Sequence, residues 1–387
     1  MKFLGNKQKR INGNLRILYF TPTFAWISKT VDTYFTNEIN TILKIYPNIE
    51  FLVYFVRPEK KIRVYSESER ILQVNRKSYK NLLFLKDMIK IFTKFKPHVV
   101  HSHYVVPSIF VGIFAKIFRI PVILHGRGQD VNHWPYFRIK SKILLLIAGK
   151  LNNMILTVCN SMKNDCLRFK IPSKKITVIY NGIDSKQFNP VDKNFFSKSR
   201  TLELLHIGTF SRRKSQHLII EACKLLKNKD INFHLTLIGD GPQKEEIVNL
   251  INKYDLKSKV DLLGSIDHII LQNYMAKSDL MIFPSITEGL PNAVLEAMSM
   301  QLPVVLTRVD GHIEIAQKGG SILIEKNSVD QIVDAILDYY NNPKNIELGG
   351  RVNRNFIVNN FSWDKHGKEL FNIYNRIIKN KKTSKKF

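Results

Sequence analysis

The chain has 387 residues, 44% hydrophobic and 24% charged, with a formal net charge of +28 and three cysteines. That balance excludes a disordered chain and leaves room for two domains, each with its own core. Cys159, Cys166 and Cys223 have neither paired nor metal-type spacing, which argues against a disulfide framework and for a reducing compartment.

In chain order, the first half alternates short apolar runs of strand type with helical segments. Leu15 to Phe20 reads as a strand too short for an export core. A helix around Thr33 to Ile45, a strand from Glu50 to Val56 and a helix around Tyr79 to Phe95 follow. Then come a strand at Val99 to His101, a helix from Ser108 to Phe118, a strand at Val122 to Leu124 and a helix from Ile139 to Leu151. Ile155 to Val158, a helix near Ser161 to Phe169, and Ile176 to Tyr180 close this half. The apolar stretch Val105 to Leu124 carries Pro107, Lys116, Arg119 and Pro121, so it reads as a buried helix and strand rather than a bilayer span.

Residues 186–200 are polar, contain Pro190 and lack periodicity, so a linker is expected there between domains 1–185 and 201–360. The second half repeats the alternation: strands at Glu203 to Gly208, Phe233 to Ile238, Val260 to Leu263, Leu280 to Phe283 and Pro303 to Leu306. Helices are expected at Gln216 to Leu226, Glu245 to Lys253, Leu271 to Ala276, Asn292 to Met300 and Val329 to Tyr340. Strands alternating with helices imply an α/β protein with parallel, doubly wound sheets, whose ligands bind at the carboxyl ends of the strands. In residues 361–387, Trp363 to Lys379 is amphipathic and expected to cross back to the first domain, ahead of a lysine-rich tail.

The most informative segment is Leu280 to Pro303. A strand ends at Pro284, Gly289 breaks the chain, and Pro291 suits the first turn of a helix. The N–H groups of Gly289, Leu290 and the residues after Pro291, with the helix dipole, attract a phosphate there. Glu288 in the loop and Glu296 about a turn and a half into the helix can accept hydrogen bonds from hydroxyls at the two ends of such a ligand.

Charge is unevenly spread. Residues 1–195 hold 33 Lys and Arg against 11 Asp and Glu, and the remainder 27 against 21. A positive first half favours an anionic partner, of which a membrane surface is the one expected. No nucleic-acid-binding signature accompanies it, so nucleic acid is not expected as a partner.

PSITEGLPNAVLEAM at Pro284 to Met298 stands in order with VIYNGID at Val178 to Asp184, LLHIGTFSRRKSQHLIIEA at Leu204 to Ala222, LIGDGP at Leu237 to Pro242 and YMAKSDL at Tyr274 to Leu280. HVVHSHY at His98 to Tyr104 and VILHG at Val122 to Gly126 precede them. Together these resemble family 4 retaining glycosyltransferases of the GT-B fold, over nearly the whole chain. The resemblance implies two Rossmann-like domains facing across a cleft. It implies a nucleotide-sugar donor and a glycan or lipid-linked acceptor, as in bacterial surface polysaccharide assembly. The enzyme is then expected to be cytoplasmic, at the inner face of the cell membrane.

It also implies roles. Glu288 contacts the transferred sugar, Glu296 the ribose, and Lys214 the pyrophosphate. Thr209 stands where the family has an arginine, and Arg213, rather than Arg212, is the expected substitute. Gly289, Leu290, Pro291 and Asn292 shape the donor site, and His125 faces the donor sugar. The family's aspartate three residues after that histidine is displaced to Asp130, which either orients the acceptor or caps a helix. Arg127 and the loop Thr21 to Lys29 are expected near the acceptor. The family implies front-face attack with retention of configuration, and without an Asp-x-Asp motif no cofactor and no essential metal are expected. A sugar phosphorylase, which a ribose contact at Glu296 disfavours, or a nucleotide-sugar epimerase of the same fold is the alternative. A basic nucleic-acid-binding protein is the remote one.

Overall fold

The computed structural model describes residues 15–22, 29–56, 71–76, 82–132, 134–190, 196–197 and 200–383. The loop expected near the acceptor lies largely outside them, as do the last four residues of the tail. The chain divides into one unit of residues 1–182 and 363–387 and another of residues 183–362. Residues 186–190, expected as linker, therefore belong to the second unit. The reason is local: Phe188 is buried there, and its carbonyl accepts from Ser299 Oγ at 2.8 Å and Arg354 Nη1 at 3.1 Å.

In the first unit the elements are β1 (Leu15–Pro22), α1 (Lys29–Ile45), β2 (Ile49–Val56), β3 (Ile71–Arg76), α2 (Leu82–Lys90) with a π-helical turn (Ile91–Phe95), β4 (Val99–His103), α3 (Val105–Ile117), β5 (Val122–His125), α4 (Gln129–Asn132), α5 (Trp134–Phe137), α6 (Ile139–Leu151), β6 (Met154–Thr157), α7 (Asn160–Arg168) and β7 (Ile176–Val178). The seven strands are all parallel, in the order β3-β2-β1-β4-β5-β6-β7. Side chains alternate along β1: Ile17 and Tyr19 enter a core with α1, while Leu18 and Phe20 enter a second core on the other face with Phe84, Met88 and Val111. Burial on both faces is why these strands read as continuous apolar runs.

The second unit holds β8 (Leu202–Ile207), α8 (Gln216–Asn228), β9 (Phe233–Ile238), α9 (Lys244–Lys253), β10 (Val260–Leu262), α10 (His268–Lys277), β11 (Leu280–Phe283), α11 (Asn292–Ser299), β12 (Val304–Thr307), α12 (Asp310–Ile315), β13 (Ser321–Ile324), α13 (Val329–Asn341) and α14 (Pro343–Asn360). Its six parallel strands run β10-β9-β8-β11-β12-β13, so the order reverses beside β8 and β11, where such sheets bind ligands. The last helix, α15 (Trp363–Thr383), belongs to the first unit, where it packs against α1 and buries Leu370, Ile373, Tyr374 and Ile377. Among the described residues no helix is long and apolar enough to cross a membrane.

Candidate active site

In the second unit the site forms where β11 hands over to α11. The first-turn position expected for Pro291 is not observed: it is the N-cap, and α11 begins at Asn292. The proline's own carbonyl closes the first turn, accepting from Val294 N at 3.0 Å and Leu295 N at 3.2 Å. Gly289, Leu290 and Pro291 are buried and Asn292 is half-buried. Behind them stands α12, where a Cβ on Gly311 would lie 1.4 Å from the carbonyl oxygen of Gly289. Glycine at 311 thus sets how closely this helix supports the loop.

Glu288 is buried with two cations on one oxygen: Lys214 Nζ at 2.7 Å and Arg213 Nη1 at 2.5 Å. Arg213 Nη1 also donates to the Thr287 carbonyl at 3.0 Å, and Ile286 N donates to the Arg213 carbonyl at 2.8 Å. Arg213 is thereby fixed to the Glu288 loop, while Arg212 is exposed. Burial pushes the Glu288 carboxyl up, but Lys214 and Arg213 outweigh it and hold it down at about 2. The lysine is lowered to about 8, because its own burial outweighs a single carboxylate that it shares with Arg213. Its ammonium also lies 4.2 Å from the centroid of Phe283. Where the family arginine is missing, Thr209 presents its carbonyl to Gln216 Nε2 at 3.0 Å.

Two histidines that the sequence did not mark out flank Phe283. His206 has Nδ1 2.8 Å from the Ile282 carbonyl, to which it donates, and Nε2 3.1 Å from the Gln216 amide nitrogen. His312 likewise donates from Nδ1 to the Thr307 carbonyl at 3.0 Å, and its buried Nε2 has no hydrogen-bond partner. Burial lowers both to about 4, which keeps them neutral beside Glu288. Their signals were only single histidines in LLHIGTF and beside Gly311. At the far side of α11, Glu296 Oε1 lies 2.8 Å from His268 Nε2. Burial alone would depress His268, yet the hydrogen bond to Glu296 raises it.

The first unit carries a separate cluster at the carboxyl ends of β4 and β5, where His103 and His125 are register partners. Arg127 Nη1, which can only donate, lies 3.4 Å from His125 Nε2; His125 Nδ1 lies 3.2 Å from His101 Nε2; His101 Nδ1 lies 2.8 Å from Tyr374 Oη. The donor directions then run in sequence from Arg127 through both imidazoles to the tyrosine of α15. Burial depresses all three histidines of the cluster, His101 to about 4. Their ring nitrogens approach within 4.8 Å of one another, a spacing that could hold a metal. The relay uses the inner lone pair of His101, however, and the Arg127 cation stands beside His125, so the set fits a metal poorly.

Close to His103 lies Glu38 of α1, which the sequence did not mark out. It accepts from Tyr19 Oη at 2.5 Å and meets His366 Nε2 of α15 at 2.8 Å. Burial opposes its charge, but the His366 hydrogen bond prevails and holds the carboxyl well below the ordinary range. Arg127 stacks 3.8 Å above the Tyr34 ring. Asp130 accepts from Val105 N, at the start of α3, at 3.2 Å, and from Arg127 N at 3.3 Å and Gly128 N at 3.2 Å. Burial raises it to about 6 in spite of those donors.

Two doubly wound parallel sheets, with a cation-held carboxylate at the carboxyl end of a central strand in the second, define a GT-B enzyme. The chain belongs to the family 4 glycosyltransferases. The model of the family described as "Glycosyltransferase Family 4" matches residues 49–187, and that of "Glycosyl transferases group 1" matches residues 188–355. An uncharacterised glycosyltransferase of Methanocaldococcus jannaschii is 32% identical over 270 residues, 69% of this chain and 72% of the relative. The UDP-Gal:alpha-D-GlcNAc-diphosphoundecaprenol alpha-1,3-galactosyltransferase of Escherichia coli is 26% identical over 323 residues, 78% of this chain and 83% of the relative. Among solved structures, an Anabaena protein in complex with UDP and glucose superposes with a TM-score of 0.75 at 17% identity, covering 94% of this chain and 100% of that one.

Proposed function

We propose that this glycosyltransferase moves a hexose-type sugar from a nucleotide-sugar donor to a glycan or lipid-linked glycan, with retention of anomeric configuration, in assembly of a bacterial surface polysaccharide. The observation that carries this reading is Glu288, buried and ionised at the mouth of α11 with Lys214 and Arg213 on one oxygen. A carboxylate so fixed can accept from sugar hydroxyls. To the two cations and the start of α11 we assign stabilisation of the diphosphate charge that grows as the glycosidic bond breaks. Glu296, turned to His268, is assigned the ribose. To His125 we assign the contact with the sugar from the first unit, and to Arg127 a place beside the acceptor.

Positive charge at the leaving group comes from side chains in this scheme, so no metal is required. The names of the E. coli galactosyltransferase and of the Anabaena complex support a uridine nucleotide and an acceptor on a lipid diphosphate. Such an acceptor would place the enzyme at the cytoplasmic face of the cell membrane. The test is to screen UDP-sugars by thermal shift, then run the stabilising donor with a lipid-diphosphate acceptor in the presence of a chelator and read the product anomer by NMR. Transfer with the donor's configuration kept supports the reading. An inverted product, or loss of transfer to the chelator, overturns it.

A further inference from the structure

The first unit presents a surface that the transfer chemistry does not use. The crossovers from β3 to β4, β4 to β5 and β5 to β6 all run the same way along the sheet. Right-handed crossovers therefore lay α2, α3 and α6 on one face, with α3 touching both neighbours. The inner sides of the three helices are buried, through Phe84, Met88, Val111, Ala115, Leu145 and Ala148.

Their outer sides are apolar as well, which a solvated helix layer does not need. Leu82 is 74% exposed, Ile117 70% and Ile139 79%. Ile113 and Ile117 form an i,i+4 row on α3, and Ile139, Ile143 and Ile147 form another on α6. The charges among them have one sign. Residues 82–96, 105–119 and 134–151 contain ten Lys and Arg and a single acid, Asp87. That acid is buried, accepting from Tyr54 Oη at 3.2 Å. Where α3 and α6 end, a cavity of about 600 Å³ opens, lined by Lys116, Arg119, Lys150, Lys174, Asn153 and Ile377 among others, with no acidic residue in its wall. Lys116 belongs to both features, standing between Ile113 and Ile117 and facing the cavity.

We propose that the α2, α3 and α6 face docks on an anionic phospholipid bilayer and that the cavity at its end takes a phosphate headgroup. Exposed aliphatic side chains interleaved with lysines match the boundary between headgroups and acyl chains. A nucleic acid would leave those aliphatic rows without a partner. A second copy of the chain would set like charges against one another. The inference deepens the membrane placement proposed above and rests on it, but not on the donor assignment.

The test is sedimentation of the full chain with vesicles of phosphatidylcholine alone and with part of the lipid replaced by phosphatidylglycerol. Transfer to a water-soluble acceptor is measured in parallel, so that a failure of docking is distinguished from a failure of the transfer reading. Binding should require phosphatidylglycerol. Lys116→Ala/Arg119→Ala/Lys150→Ala should weaken it by roughly a hundredfold, while Lys244→Ala/Lys253→Ala/Lys277→Ala in the second unit should not. Ile139→Asn/Ile143→Asn should abolish the part of the binding that survives high salt. All the substituted residues are at the surface, and unchanged melting confirms that the variants fold. Equal binding to both vesicle types, or an undiminished first triple variant, overturns the proposal. So does a dimer in sedimentation equilibrium that the Ile139→Asn/Ile143→Asn pair dissociates.

Discussion

Lys214 meets its carboxylate in a dry setting, and burial brings its proton affinity to about 8, within reach of ordinary assay conditions. With Lys214 in the role proposed above, on the leaving diphosphate, transfer requires it charged and should fall as pH rises through about 8. Lys214→Arg, which stays protonated, should remove that limb from a pH-rate profile. Lys214→Ala and Glu296→Ala should each lower kcat/KM at least tenfold, since each deletes a charge-assisted contact of roughly 1.5 to 3 kcal/mol. Glu288 gives the complementary signal in stability. Its folded value of about 2 lies below the ordinary 4.5, so its contribution is present above pH 4.5 and is lost as pH falls toward 2. The difference corresponds to about 3 kcal/mol. Urea unfolding at neutral and acid pH should show that loss in the wild type and a smaller one in Glu288→Gln. Glu288, Lys214 and Arg213, which meet in the structure, could be named beforehand, Glu288 from the strand-to-helix junction and the two cations from the resemblance to the family. His206, His312 and Glu38 could not, because a single histidine or glutamate reads the same whether it is a core residue or a neighbour of the site.

At the level of elements, the loop before α11 depends on what presses against it. Gly311→Ala would drive a Cβ into the Gly289 carbonyl, and the loop holding Glu288 must move to accommodate it. Donor affinity measured by calorimetry should drop at least tenfold, while the far-UV circular dichroism stays that of the wild type. Regular alternation made most strands and helices readable, and the omissions have local causes. β3 is an edge strand in which Gln73 and Asn75 interrupt the apolar residues, and β13 is an edge strand of four residues, half-exposed for most of its length. α12 has six residues, too few for a helical period. α14 carries Gly349 and Gly350 at its centre, which read as a break. A Cβ at these positions would meet Gly319 O at 2.7 Å and Gln301 O at 2.2 Å, so both glycines serve close packing within a continuous helix. The charged outer faces of α2, α3 and α6 were legible only as a net positive half. Their aliphatic rows emerge only when exposure is known, since an isoleucine repeat at helical spacing predicts a buried face.

For the whole molecule, the chain leaves the first unit at Gly182 and re-enters it at Trp363, and the two residues meet there: a Cβ on Gly182 would lie 2.4 Å from the indole. The helix that begins at this junction is more than a strap. α15 supplies four buried side chains to the core shared with α1, and burying each contributes about 1.5 to 3 kcal/mol. Their sum is of the order of a domain's entire stability. The same helix supplies both ends of the polar network beneath His125: Tyr374 receives the His101 hydrogen bond, and His366 meets Glu38. Removing residues 363–387 should therefore leave the first unit unable to fold, seen as loss of its cooperative transition in calorimetry and rapid proteolysis confined to residues 1–182. Tyr374→Phe isolates the polar part. The ring and its packing remain, but the buried His101 N–H loses its acceptor, which should cost about 1 to 3 kcal/mol in unfolding free energy. If the relay also sets the tautomer of His125, Tyr374→Phe should lower kcat several-fold at unchanged KM for the donor. A variant that loses stability while keeping kcat would confine Tyr374 to the core.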